Sequence, residues 1–145
     1  MRRDDSGTSL IEFALTAPLM CLLLIGIIEI GRFTFFAILA SSAARAGAQY
    51  ASQNLGTAIN SAQIQSAAKQ DGQNLPNWIV TATALCSTNG AAPVPCNAAG
   101  TAPPQNVVYF VKVQVAGTFT SLLTYPGLPP SVPVSGSAVM RVSAQ

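Results

Sequence analysis

Five acidic residues, seven basic residues and three cysteines are the whole stock of strongly ionisable and thiol chemistry in this chain, because histidine is absent. Glu12 stands out. It lies in GTSLIEFALTAPLMCLLLIGII (residues 7–28), an otherwise apolar run, and an ionised side chain in hydrocarbon costs on the order of a few kcal/mol, so such a residue normally has a partner or a task. Glu29 and Arg32 are three residues apart. That is the spacing of an intrahelical pair worth a few tenths of a kcal/mol, with pairing between neighbouring subunits as a second use. Arg45 falls among alanines, where packing of its stem against a sheet and binding of a partner are both open. Cys86 and Cys96 bracket the turn-rich STNGAAPVP. A disulfide there would stabilise the fold by about 3 kcal/mol and would persist only in an oxidising compartment. Two thiols at this spacing, with no histidine or third cysteine beside them, make a poor zinc site. Cys21, inside the apolar run, reads as a small hydrophobe.

Catalysis finds little support in that inventory. A hydrolase or transferase site normally needs a poised general base, a carboxylate pair or a metal cluster. Beyond Arg45 the chain has one carboxylate, Asp71, and the cations Lys69, Lys112 and Arg141. A serine with Lys69 or Lys112 as its base is the one remaining option, and no nucleophile-elbow motif supports it. We therefore expect no enzyme, no metal and no cofactor, and no small-molecule substrate. The net charge is +2, and no segment clusters Lys and Arg as a nucleic-acid footprint would.

The elements that must position these groups follow from hydropathy and period. Half of the 145 residues are hydrophobic and 8% are charged, which suits one modest domain beside a membrane segment. Leu10 to Ile30 is interrupted only by Glu12 and Glu29, and at about 1.5 Å per residue it covers the roughly 30 Å of a bilayer core. Arg2 and Arg3 could instead open a secretory signal, but the apolar stretch is too long for one and no clean small-x-small site closes it. Pro18 should kink the span, an irregularity membrane helices tolerate. From Ala37 to Ser52, eleven of sixteen residues are Ala, Ser or Gly. Ala37, Ala40, Ser41, Ala44, Ala48 and Ala51 form a stripe that lets a helix or sheet approach closely. One helix of roughly 45 residues is expected, its lower half in lipid and its upper half packed.

Gly56 reads as a helix stop, with a short amphipathic helix carrying Ile59, Ala62, Ile64, Ala67 and Ala68 up to Gly72 and Pro76. The period then changes. NWIVTATAL (77–85), NVVYFVKVQVAGTFT (106–120) and PVSGSAVMRVSA (133–144) are rich in Val, Thr and aromatics and predict three or four strands. Gly117 marks a bulge or turn in the second. NAAGTAPPQ and TYPGLPPS read as surface loops. Tyr50 and Trp78 read as core or interface aromatics. The cysteine pair places the C-terminal domain on the oxidising side, with Arg2 and Arg3 favouring a cytoplasmic N-terminus.

A charged leader, Gly7, the four residues TSLI, then Glu12 and Phe13 opening an apolar helix resemble the processing site of type IV pilin-like proteins. The resemblance is to their tight-adherence (Tad/Flp) branch. It extends through Ala14, Pro18, Glu29, Gly31, Arg32, Ala44, Arg45, Gly47, Ala48 and Tyr50, a pattern similar to that of the TadE/TadG-like pseudopilins. The resemblance implies cleavage between Gly7 and Thr8 by a prepilin peptidase, leaving Thr8 as the new N-terminus. Glu12 would then lie one helical turn from a fresh ammonium, and the two charges would offset each other's cost in lipid.

These readings give a leader at 1–7, a long N-terminal helix at 8–54 with its span at about 10–30, and an exported domain at 55–145. The fold class is α+β, a pilin-like helix packed on a small, mainly antiparallel sheet. By resemblance the chain is expected to be a pseudopilin or minor pilin of the bacterial inner membrane, either retained there or carried into an extracellular pilus. Its implied partners are the membrane, other pilins, the assembly platform and the prepilin peptidase. Glu12, Pro18, Glu29, Arg32 and Arg45 are the candidate assembly residues. The alternative is a membrane-anchored exported binding module that presents its Pro-rich loops.

Overall fold

The computed structural model describes residues 6–73, 77–88, 90, 92–96, 107–122 and 129–143. One helix, α1 (Ser6–Ala51), opens the chain. Two short helices follow, α2 (Leu55–Ile59) and α3 (Ser61–Asp71), then four strands: β1 (Ile79–Thr88), β2 (Val94–Pro95), β3 (Val107–Thr120) and β4 (Ser131–Arg141). The chain divides into two compact units, one up to Thr34 and one from Phe35 onward.

The described part of the first unit is helix alone. Its large apolar side chains, from Leu10 and Phe13 to Ile28 and Ile30, are exposed, and its most apolar stretch has a mean hydropathy of 2.3 with none of it buried. It is a candidate membrane anchor. The helix runs through Pro18, whose missing N–H leaves the Ala14 carbonyl without its usual donor. The hydroxyls of Thr16 and Thr34 donate back to the carbonyls of Glu12 (3.0 Å) and Ile30 (2.8 Å), so neither is left unsatisfied in an apolar setting.

In the second unit, Phe35–Ala51 of α1 and then α3 pack on one face of an antiparallel sheet ordered β2-β1-β3-β4. The α+β class follows from this arrangement. Strand alternation puts Val111, Val113, Val115 and Phe119 of β3 on the covered face. Against them lie Ala40, Ala43, Ala44, Ala48 and Ala51 of α1, with Ile64 and Ala68 of α3. The small-residue stripe therefore does what its spacing implies: it brings the helix backbone down to the sheet.

Two glycines set how close that approach is. A Cβ built at Gly136 of β4 would lie 2.5 Å from the Ala40 carbonyl group and from Ser41 N. One at Gly117 of β3 would lie 2.4 Å from the Trp78 ring. The strand runs through Gly117 without a bulge, its pairing with β4 in continuous register from Phe110↔Arg141 to Thr120↔Ser131. The glycine there makes room for an indole, and the bulge or turn expected from it is absent. Trp78 stacks on Phe36 with ring centres 6.5 Å apart, and Phe36 meets Phe119 at 5.6 Å, so the core-aromatic reading of Trp78 holds.

The region after α1 also departs from expectation. Gly56 lies inside α2 rather than ending a helix. The local breaks are made by two asparagines. Asn54 caps α2, accepting from Thr57 N (2.9 Å) while Thr57 Oγ1 accepts from Asn54 N (3.2 Å), and Asn60 caps α3 through Gln63 N (3.2 Å). Ile59, the last residue of α2, is consequently exposed instead of joining the core. The expected strands 77–85, 106–120 and 133–144 occupy 79–88, 107–120 and 131–141. A two-residue β2 pairs with β1 inside the stretch read as a loop.

Edge geometry explains a proline within β4. Val142 N donates to Tyr109 O (2.8 Å) and Ser121 N to Pro130 O (3.1 Å), which sets the phase of the ladder. Even-numbered β4 residues bond β3 and odd-numbered ones face the free edge. Pro133 is odd, so no ladder bond is lost. Ser143 N donates to Ser52 O (2.9 Å), tying the chain beyond β4 to the end of α1. The Pro-rich loop 97–105 and residues 124–128 of the loop expected at 124–131 lie outside the described residues, and Ser131 of the latter opens β4.

Candidate processing and assembly segment

Glycine, a carboxylate and an unbroken apolar surface come together at the start of α1. Gly7, Thr8, Glu12 and Phe13 are all exposed on the helix. Nothing approaches within 4 Å of a Cβ built on Gly7. Thr8 and Glu12 are four apart on this helix and therefore share a face. The Glu12 carboxylate has no hydrogen bond or ion pair among the described residues, while its backbone carbonyl accepts from Thr16. A protease cut would place an ammonium one turn away from it.

Glu29 and Arg32 meet. Arg32 Nη1 donates to Glu29 Oε2 at 3.1 Å, and both side chains are partly buried. The pair closes within one helix, so each charge already has an opposite one beside it. Arg45 behaves differently. It is exposed and makes no ion pair or side-chain hydrogen bond among the described residues. Its stem does not pack beneath the sheet, because residues 40, 44, 47, 48 and 51 take the sheet-facing side and 45 lies about 100° around the helix from 44. Tyr50 is half-buried and its hydroxyl donates to Gln63 Oε1, joining α1 to α3.

Cys86 and Cys96 form a disulfide with Cα atoms 5.1 Å apart. It closes the β1–β2 hairpin, where Cys96 N also donates to Ala84 O (3.1 Å). Cys21 is a free, exposed thiol on the apolar helix. No group of three or more His, Cys, Asp or Glu that could hold a metal occurs among the described residues.

The stretch with these features is the one that a known family shares. Residues 7–49 match the model of the TadE-like protein family. No curated protein and no solved structure gives a significant match. The TadE-like match begins at the glycine and ends two residues before α1 does. It contains Glu12, Pro18, the Glu29–Arg32 pair, Arg45 and nearly all of the small-residue stripe. The sheet lies outside it.

Sequence reasoning missed Gly136 and named Gly47 only within the family resemblance, not as a packing residue. A Cβ on Gly47 would meet Val113 at 3.1 Å, Ala68 at 3.2 Å and the Ile64 carbonyl at 3.3 Å, so this glycine lets α1 fit between β3 and α3. The available signal was a glycine falling in phase with the covered face of β4, where alternation calls for an apolar side chain.

Proposed function

We propose that the chain is a pseudopilin or minor pilin associated with a tight-adherence pilus, anchored in the inner membrane by α1. On this reading a prepilin peptidase cuts between Gly7 and Thr8, and the mature chain acts by lateral packing of its exposed apolar helix against other pilins, in assembly or in the filament. It performs no catalysis. The carrying observation is the TadE-like match over 7–49, which begins at Gly7 and contains Glu12, exposed on the helix and without an ion pair among the described residues. A charge on an exposed apolar helix is the group to fix register between subunits, as buried polar residues do in other helix assemblies. The disulfide supports an oxidising location for the sheet-bearing unit.

Intact-mass spectrometry of the protein from its native membrane tests this. The expected mass lacks Met1–Gly7, and Glu12→Ala is expected to be cleaved and membrane-bound yet to fail in pilus assembly. A full-length N-terminus in cells that contain the peptidase would overturn the reading, leaving a plain membrane-anchored binding module.

A further inference from the structure

Within the second unit, the end at which α1 enters has an unusual surface. Phe36 of α1, Trp78 before β1 and Phe119 near the end of β3 pack together there. Around this cluster, large apolar side chains face outward: Phe35 is 54% exposed, Ile38 61%, Ile79 67% and Leu122 70%. Charge is missing from the same region. Residues 35–44 of α1, 79–82 of β1, 113–120 of β3 and 131–138 of β4 contain no Asp, Glu, Lys or Arg. Lys112 and Arg141 belong to the other half of the sheet, opposite Thr83 and beside Phe110 respectively. Lys69 and Asp71 are exposed at the end of α3, Lys69 sharing a cleft with Trp78, and Arg32, four residues before Phe36 in the chain, is paired with Glu29.

We infer that this end of the unit rests in the lipid interface, with Phe35, Ile38, Ile79 and Leu122 inserted among the headgroups and upper acyl chains. The inference rests on the membrane-anchor reading of α1. An apolar rim without charges, rimmed in turn by a lysine, has the chemistry of an interfacial membrane surface. In sequence Phe35 directly follows Thr34, the last residue of the unit that carries the apolar segment.

The position of the span is sharpened as a result. Phe13 to Phe33 rises about 31 Å at about 1.5 Å per residue, enough for the hydrocarbon core. That choice, three residues later than Leu10 to Ile30, puts Glu12 at the inner boundary and ends the span two residues before Phe35 in the chain. Glu29 and Arg32 then lie inside the hydrocarbon, where their closed 3.1 Å pair is the form in which two charges are tolerated.

Site-directed spin labelling of the full chain in phosphatidylethanolamine/phosphatidylglycerol nanodiscs tests the inference. Single cysteines at Ile79→Cys, Leu122→Cys, Thr83→Cys and Arg141→Cys are made in a Cys21→Ala background and labelled without reductant to keep the Cys86–Cys96 bond; native Cys21 is labelled as the lipid reference. The ratio of oxygen to nickel-chelate collisions at 79 and 122 is expected to be severalfold higher than at 83 and 141, approaching that at 21. Ratios at 79 and 122 equal to those at 83 and 141, with 21 in lipid, would overturn the inference and leave the anchor intact. Shielding of 79 and 122 from both reagents would also overturn it, showing a protein partner on this end. A water-like ratio at 21 would overturn the anchor reading itself.

Discussion

Replacing Gly136 by alanine adds one methyl group to a strand, a change that ordinarily helps. Alanine is favoured over glycine in a strand interior by about 0.5–1 kcal/mol, partly through the unfolded chain, and no positive φ at Gly136 opposes it. The added Cβ, however, would stand 2.5 Å from the Ala40 carbonyl carbon and oxygen and from Ser41 N. Carbon atoms in contact prefer about 3.5–4.0 Å, so the helix must retreat by roughly 1 Å, and a main chain cannot rotate aside as a side chain can. Overpacking of this kind costs about 1–3 kcal/mol and occasionally more. Retreat also loosens Ala44 and Ala48 from the valines of β3. We expect Gly136→Ala to destabilise the second unit by about 2 kcal/mol net, lowering its melting temperature by about 10 °C for a domain of roughly a hundred residues. Trp78 is the only tryptophan and lies in this unit's core, so its fluorescence during thermal unfolding of the detergent-solubilised chain reports the transition. Ser135→Ala, exposed on the same strand, is the control and should change little. A Gly136→Ala protein as stable as wild type, or more so, would refute the close helix–sheet contact.

Gly117→Ala should displace the Trp78 ring, which a Cβ would meet at 2.4 Å; a red-shifted emission with a loss of about 1–2 kcal/mol is expected, read in the same unfolding experiment. Cys86→Ser removes the bond to Cys96 and should cost about 3 kcal/mol, and the variant's melting should no longer respond to reductant as the wild type's does. Arg45→Ala should leave stability within about 0.5 kcal/mol, because the side chain is exposed; loss of pilus assembly with unchanged melting would mark it as a contact to another subunit.

The long helix, strand β3 and the cysteine pair were all legible in the sequence, each for a local reason. A run of apolar residues without helix breakers, valines at alternate positions and two cysteines around a turn carry their meaning within a few residues. Gly117 was misread because a strand glycine has two uses, a bulge or a close neighbour, and the neighbour, Trp78, is almost forty residues away in the chain. Gly56 was misread because it competed with Asn54 and Asn60, whose side chains cap helices more effectively than a glycine stops one at that point. Arg45 left two options open until the helix was seated, since a rotation of one residue decides whether its stem meets the sheet. Glu12 was legible as an anomaly from hydropathy alone, but its meaning came from the residues around it.

The seating of α1 on the sheet has a practical consequence for anyone mapping this protein by mutation. Its contact surface is made of Ala40, Ala43, Ala44, Gly47, Ala48, Ala51 and Gly136, residues that have almost nothing to delete. Truncation to alanine, the standard search for important side chains, has nothing to remove on the helix side of this seam and would direct attention elsewhere. The informative scan runs in the opposite direction, adding methyl groups one position at a time and watching where the domain stops tolerating them.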